Sequence, residues 1–228
     1  MTNPSFTIAR IGYASTYWGN LKDSAMSKHI LFIAALGALA ACSGTAGYQG
    51  DATVTKFFDP NSDGTFSIDF VQSSRKQYKD ADGDGYAFMG GAIQNEGFLA
   101  VAGVLPQTTV DTPVSAKVNY TGRYNMISIE EITLYDSGYI YGLPNERTGA
   151  LTGTADFSAK TFNASSQNGL SLSGSISGTN VSGTMTYKDT VSGEFKALAG
   201  QDKAIGAFHG KSSNSDQMVA GGFNIVAN

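Results

Sequence analysis

The chain has 228 residues, a net charge of −4 and 15% charged residues, where about 25% is usual. That balance argues against a nucleic-acid partner, which needs a basic face, and 13 Phe with 11 Tyr argue against disorder. With 28 Gly and few charges, the composition fits many short strands joined by tight turns and not a helical bundle. The single cysteine, Cys42, rules out an intramolecular disulfide, and with only His29 and His209 beside it there is no Cys/His metal cage.

Taken from the start, the first readable segment is an address. Met26, Lys28 and His29 precede the apolar run Ile30–Leu39, which is too short to span a bilayer, a task for about 20 residues. Basic, apolar and then small residues are the order of a secretory signal peptide. The run ends Leu39-Ala-Ala-Cys42, followed by Ser43 and Gly44, which resembles the bacterial lipoprotein signal. In that signal the cysteine takes a diacylglyceryl group and becomes the mature N-terminus. The alternative is ordinary signal cleavage at an A-x-A site, with Cys42 incidental. Residues 1–25 have no place in the scheme, so translation is expected to start at Met26, with 26–41 as the signal peptide. Ser43 is not the Asp that, in enterobacterial lipoproteins, favours inner-membrane retention, so the resemblance implies the outer membrane. Three acyl chains, palmitate among them, anchor such a protein at about 0.8 kcal/mol per buried CH₂.

Residues 42–51 are small and Gly-rich and read as a flexible tether. From residue 52 to 111 the pattern is β-rich, with strands expected at Thr53–Phe58, Thr65–Val71, Tyr86–Ile93 and Gly97–Val104. Pro106 and Pro113 mark a junction near residue 112, since proline cannot donate to a central ladder. Beyond it strands are expected at Ala116–Tyr124, Met126–Tyr135, Gly149–Phe157, Leu170–Ser177, Val181–Tyr187, Gly193–Leu198, Ala204–His209 and Met218–Val226, with a loop over Asp136–Arg147. In Leu170–Ser177, Leu170, Leu172 and Ile176 alternate with serines, the mark of a sheet with one dry face. Eight such strands make a small closed barrel. The fold class is therefore all-β: an eight-stranded antiparallel β-barrel over 112–228, preceded by a small β-rich N-terminal segment. The wet face carries Ser, Thr, Lys and Asp, which excludes a lipid-facing barrel.

Short motifs within 112–228 resemble a known family. Tyr120-Thr-Gly-Arg-Tyr124 and Gly149-Ala-Leu-Thr-Gly-Thr-Ala-Asp-Phe157 are similar to the first barrel strands of transferrin-binding protein B and its relatives. Ala204-Ile-Gly-Ala-Phe-His-Gly210 and Val219-Ala-Gly-Gly-Phe223 resemble that family's terminal hairpin. The resemblance implies a surface lipoprotein that captures a host protein or an iron source such as haem. Residues 52–111 then stand where the family has its handle. The chain has room for one lobe, not two, so the transferrin-binding loops do not carry over.

Three groups of residues could bind something. Asp80, Asp82 and Asp84, followed by Gly85, open like a calcium loop, and Asp59-x-Asn61-x-Asp63-Gly64 repeats the form. Both lack the bidentate Glu at position 12, where Gly91 and Phe70 stand, so any Ca²⁺ would be held weakly. The competing reading is an Asp/Gly hairpin turn. His209 is either a haem ligand partnered by a tyrosine or a residue of a strand face or rim. Tyr135, Tyr139 and Tyr141 suit a partner-binding surface, because Tyr offers amphipathic area at little entropy cost. No other cofactor is expected. Enzymatic motifs G-x-S-x-G and H-E-x-x-H do not occur, and adjacent Glu130 and Glu131 point to opposite faces of a strand. A non-catalytic surface binding protein follows. The alternatives are a structural or adhesive surface lipoprotein and a lipocalin-like carrier of one small ligand.

Replacing Met26 by Ile is expected to abolish the lipidated product, whereas deleting residues 2–25 leaves its amount unchanged. Labelled palmitate should enter the wild-type chain and be lost in Cys42→Ser, which detergent partitioning should move into the aqueous phase.

Overall fold

Two sheets account for the strands. The computed structural model describes residues 53–70, 72–93, 97–135 and 140–228, and among them there is no helix. The smaller sheet contains β1 (Thr53–Phe57), β2 (Gln72–Lys79), β3 (Gly85–Ile93) and β4 (Gly97–Val104) in the order β1-β4-β3-β2. Only the β1–β4 pair is parallel. The larger sheet is a closed eight-stranded antiparallel barrel. It runs through β5 (Lys117–Leu134), β6 (Ile140–Asp156), β7 (Thr161–Ser165), β8 (Leu170–Ser177), β9 (Asn180–Tyr187), β10 (Val191–Ala199), β11 (Lys203–Ser212) and β12 (Met218–Ala227). Pairing of β12 with β5 closes the ring and leaves no barrel edge over the paired length.

Strands β7 to β9 show why the sequence curls this way. Their buried and exposed residues alternate, with Leu170, Leu172, Val181 and Met185 inward and Ser171, Ser173, Ser182 and Thr184 outward. The lumen is filled by side chains. Phe162 lies 5.7 Å from Phe195 and 6.1 Å from Phe223, ring centre to ring centre. Gly174 makes room for them: a Cβ there would stand 2.9 Å from the Phe195 ring. The β9–β10 hairpin turns through the three residues between Tyr187 and Val191, with Lys188 and Asp189 both at positive φ (51° and 60°).

Alternation fails in β11 and β12, where nearly every residue is buried. These strands are covered on both faces, so Ala204–Phe208 and Met218–Phe223 are apolar without alternation. Phe208, Val219 and Phe223 face the lumen. Ile205, Ala207, Met218 and Ala220, with Ile127 and Ile129 of β5, face outward and meet Tyr86, Phe88, Phe98 and Ala100 of the small sheet. Contact is close because Gly222 presents bare backbone to the Tyr86 ring, which any Cβ would strike. Asn125 Nδ2 donates to the Tyr86 hydroxyl at 2.8 Å. The opposite face of the small sheet is covered by the segment between β1 and β2, through Phe58, Phe66, Ile68 and Phe70.

Several expected elements come out differently. Ala116–Tyr124 and Met126–Tyr135 are one strand, β5, continuous through Asn125, which pairs with Gly222 and Thr148. The expected loop 136–147 is strand from Ile140 onward. The eighth barrel strand is instead β7, whose five residues are too few to stand out in the sequence. Thr65–Phe70 alternates as expected but has no ladder partner and serves as a cover. Polar β2 was not anticipated, because an edge strand needs little apolar surface.

Gly222→Val is expected to lower stability by about 2–3 kcal/mol by overpacking against Tyr86. Denaturant titration should show a reduced midpoint, and a Tyr86→Ala background should remove most of the effect. Ser171→Val on the exposed wall should change stability by less than about 0.5 kcal/mol.

Candidate functional site

The β5–β6 hairpin is the feature that departs most from a plain barrel. Its strands have 18 and 17 residues, against 5 to 10 in the other barrel strands. β12 pairs with β5 only from Tyr120 to Ile129, and β7 pairs with β6 only from Thr152 to Asp156. The hairpin therefore runs past the ring, and among the described residues no strand pairs with the outer side of β6 from Ile140 to Leu151. Pro144 sits in that stretch, where a missing N–H is tolerated. Near the tip a bulge between Glu130 and Thr133 puts Glu131 at φ 56°. Tyr135 is 53% exposed there. Tyr141 is half-buried in β6, while Tyr139 lies outside the described residues.

The bulge changes what the two adjacent glutamates do. Glu130 turns to Arg147 at 3.1 Å and accepts from Ser128 Oγ at 3.0 Å. Gln217 Nε2 donates to the same Ser128 hydroxyl. This polar group at the barrel mouth was not legible in the sequence, because Glu130 and Arg147 meet only through the hairpin register.

Asp80, Asp82 and Asp84 do come together, with carboxylate oxygens within 4.8 Å of one another. The turn uses its own carboxylates. Asp80 Oδ1 accepts the amides of Asp82 and Asp84, each at 3.0 Å, and Asp84 Oδ1 accepts the Thr109 amide at 2.8 Å. Lys203, the first residue of β11, places its buried ammonium among them. Its Nζ lies 2.6 Å from Asp84 Oδ2, 2.9 Å from Asp80 Oδ2 and 3.7 Å from Asp82 Oδ2. Burial disfavours the lysine's charge, yet hydrogen bonds to Asp80 and Asp84 outweigh it and raise its pKa. Burial also pushes the Asp80 carboxyl up, but the Lys203 bond and the turn amides prevail and hold it below the ordinary value. An internal ammonium thus occupies the place a cation would take. The Asp59–Gly64 stretch is organised as a turn: Asp63 Oδ1 accepts the Thr65 amide at 2.9 Å and its hydroxyl at 2.6 Å.

His209 points out of the barrel, not into it. It is 9% exposed, under β1, with Nδ1 3.0 Å from Thr55 Oγ1 and its ring 4.5 Å from that of Phe57. Cys42 lies outside the described residues.

Lys203→Met is expected to cost about 3 kcal/mol at pH 7, because it leaves the buried Asp84 and half-buried Asp80 carboxylates uncompensated. Asp80, with its depressed pKa, contributes stability above the ordinary aspartate range that is lost as pH falls through its folded value. The deficit of the variant should therefore be largest at neutral pH and close below about pH 4. Urea titrations across pH should show this, and millimolar Ca²⁺ should recover part of the variant's loss.

No protein-family model matches the chain, and no curated protein does. Solved structures are similar to it. One is a point mutant of the vaccine antigen transferrin binding protein B from Actinobacillus pleuropneumoniae H49, at 12% identity and TM-score 0.44, over 71% of this chain and 83% of that one. A structure described as a surface lipoprotein matches at 11% identity and TM-score 0.42, over 70% and 82%. The isotype 1 transferrin binding protein B from serogroup B Neisseria meningitidis matches at 11% and 0.40, with 68% of this chain covering 35% of that one. At these identities and scores the likeness identifies neither a ligand nor the residues that would meet one.

Proposed function

We propose that this is a non-catalytic, lipid-anchored protein of the outer-membrane surface that binds a protein partner through the overrunning β5–β6 hairpin. The single observation behind this reading is that, among the described residues, no strand pairs with the outer side of β6 from Ile140 to Leu151, in the hairpin whose other strand leads into exposed Tyr135. A strand edge offers backbone donors and acceptors to an extended segment, and the flanking Tyr135 and Tyr141 supply aromatic anchors. The lipoprotein signal at Cys42 and the barrel motifs described above support the location.

A protein suits this molecule better than the other ligand classes. Haem would need an accessible ligand, and His209 is buried beneath β1. A lipocalin-like carrier would need internal space, and Phe162, Phe195 and Phe223 fill the lumen. Prominent charged groups are committed to structural pairs, Glu130 with Arg147 and Asp80 and Asp84 with Lys203, which supports a binding role over a catalytic one.

Immobilised full-length protein should retain a partner from host fluid that Tyr135→Ala/Tyr141→Ala retains at least about tenfold less, the usual loss for truncated anchors. Haemin added to the wild type should give no shift of its absorption band. Equal retention by the double variant would overturn the hairpin as the site, and a haemin shift abolished by His209→Ala would overturn the protein reading.

A further inference from the structure

We propose that His209 is an acid-operated latch: neutral, it clamps β1 to the barrel wall, and protonated, it lets β1 go. β1 is a five-residue edge strand with a single strand neighbour, β4. Among the described residues, the side chains that fasten it belong to the barrel. Thr55 shares its hydrogen bond with His209 Nδ1, Phe57 meets the imidazole edge-on, and Lys211 Nζ donates to the Thr53 carbonyl at 3.2 Å. Lys196 Nζ sits over the Phe57 ring, 4.7 Å from its centre. The latch does not depend on the hairpin being a docking surface.

A proton on His209 would arrive in a poor place. The side chain is removed from water, so its charge loses hydration when β1 is seated. From β10 it faces Glu194, its cross-strand partner, and Lys196; from its own strand, Lys211. β12 contributes only Ala220 and its uncharged neighbours, and β4 has no charged residue. Within β1, Lys56 points away, over Phe58. Glu194 favours the added charge and Lys196 opposes it, and the Phe57 ring already holds the Lys196 cation. Burial lowers the His209 pKa, Glu194 opposes this and Lys196 adds to it, with a net shift downward.

The sign follows from linkage. Once β1 lifts, the imidazole meets water and titrates near 6.5. Seated β1 binds fewer protons, so its docking is fully present above that value and weakens as pH falls through the lower, folded value. At pH 5.0 the open fraction can rise by at most about 30-fold relative to pH 7.5. Release would bare the edge of β4 along Phe98–Ala102.

Hydrogen exchange of the full chain at pH 7.5 and 5.0, corrected for intrinsic rates, tests this. Amides of Thr53–Phe57 and Phe98–Ala102 should lose protection by a factor of between about 3 and 30 at pH 5.0, while β7–β9 stays unchanged. His209→Gln, which keeps a hydrogen-bonding group without a titration, should make β1 protection independent of pH over this range. Should that variant fail to seat β1, imidazole NMR of the wild type decides: the His209 signal, distinguished from His29 by mutation, must titrate below 6.5 in step with β1 opening. Equal acid sensitivity in His209→Gln, no change in wild-type β1, or a His209 titration at or above 6.5 would each overturn the latch.

Discussion

The close packing of the small sheet on the outer wall of the barrel is the constraint on which the rest of the structure depends. A closed barrel of this size has one lumen, and aromatic side chains fill it. Its outer wall has to be wet or covered. Over β7 to β9 it is wet and built of hydroxyls; over β5, β11 and β12 it is apolar and covered. Tyr86 reaches the wall only because Gly222 has no side chain. The fit at that point sets how near the two sheets come.

Charged and titratable groups are arranged around this contact. At one end Lys203 of the barrel enters the turn between β2 and β3, so three carboxylates that would repel one another share a single ammonium. On the wall itself His209 meets β1 with its imidazole buried. The ionic contact is robust near neutrality because both partners hold their charge. The histidine contact is strongest while the imidazole is uncharged, because burial penalises its charge. The two fastenings consequently differ in what acid does to them, and the weaker strand, β1, is held by the more sensitive one.

The hairpin of β5 and β6 obeys a different logic. Where the barrel ends, its two strands continue, and one side of β6 loses its neighbour. Proteins blunt such edges with proline and charge, and Pro144, Glu146 and Arg147 lie along this one. Glu146 is tied to Lys76 at 3.3 Å and Arg147 to Glu130, and the proposed partner site is the aromatic end by Tyr135.

Local pattern carried much of the architecture. Alternation in Leu170–Ser177 and Val181–Tyr187 announces half-buried strands, since the two-residue period of a strand is written directly into side-chain polarity. The aspartates of the β2–β3 turn were visible for the same reason: three acidic residues at every second position are a local arrangement. Their partner was not visible, because Lys203 lies far along the chain and reaches them only when the sheets dock. The same holds for Glu130 with Arg147 and for His209 with Thr55. In β11 the apolar stretch Ala204–Phe208 does not alternate, and nothing local says what covers it. Periodicity thus marked the half-buried strands β8 and β9 and their dry faces, whereas only long-range packing decided which charges meet, which edge stays open and that His209 is covered.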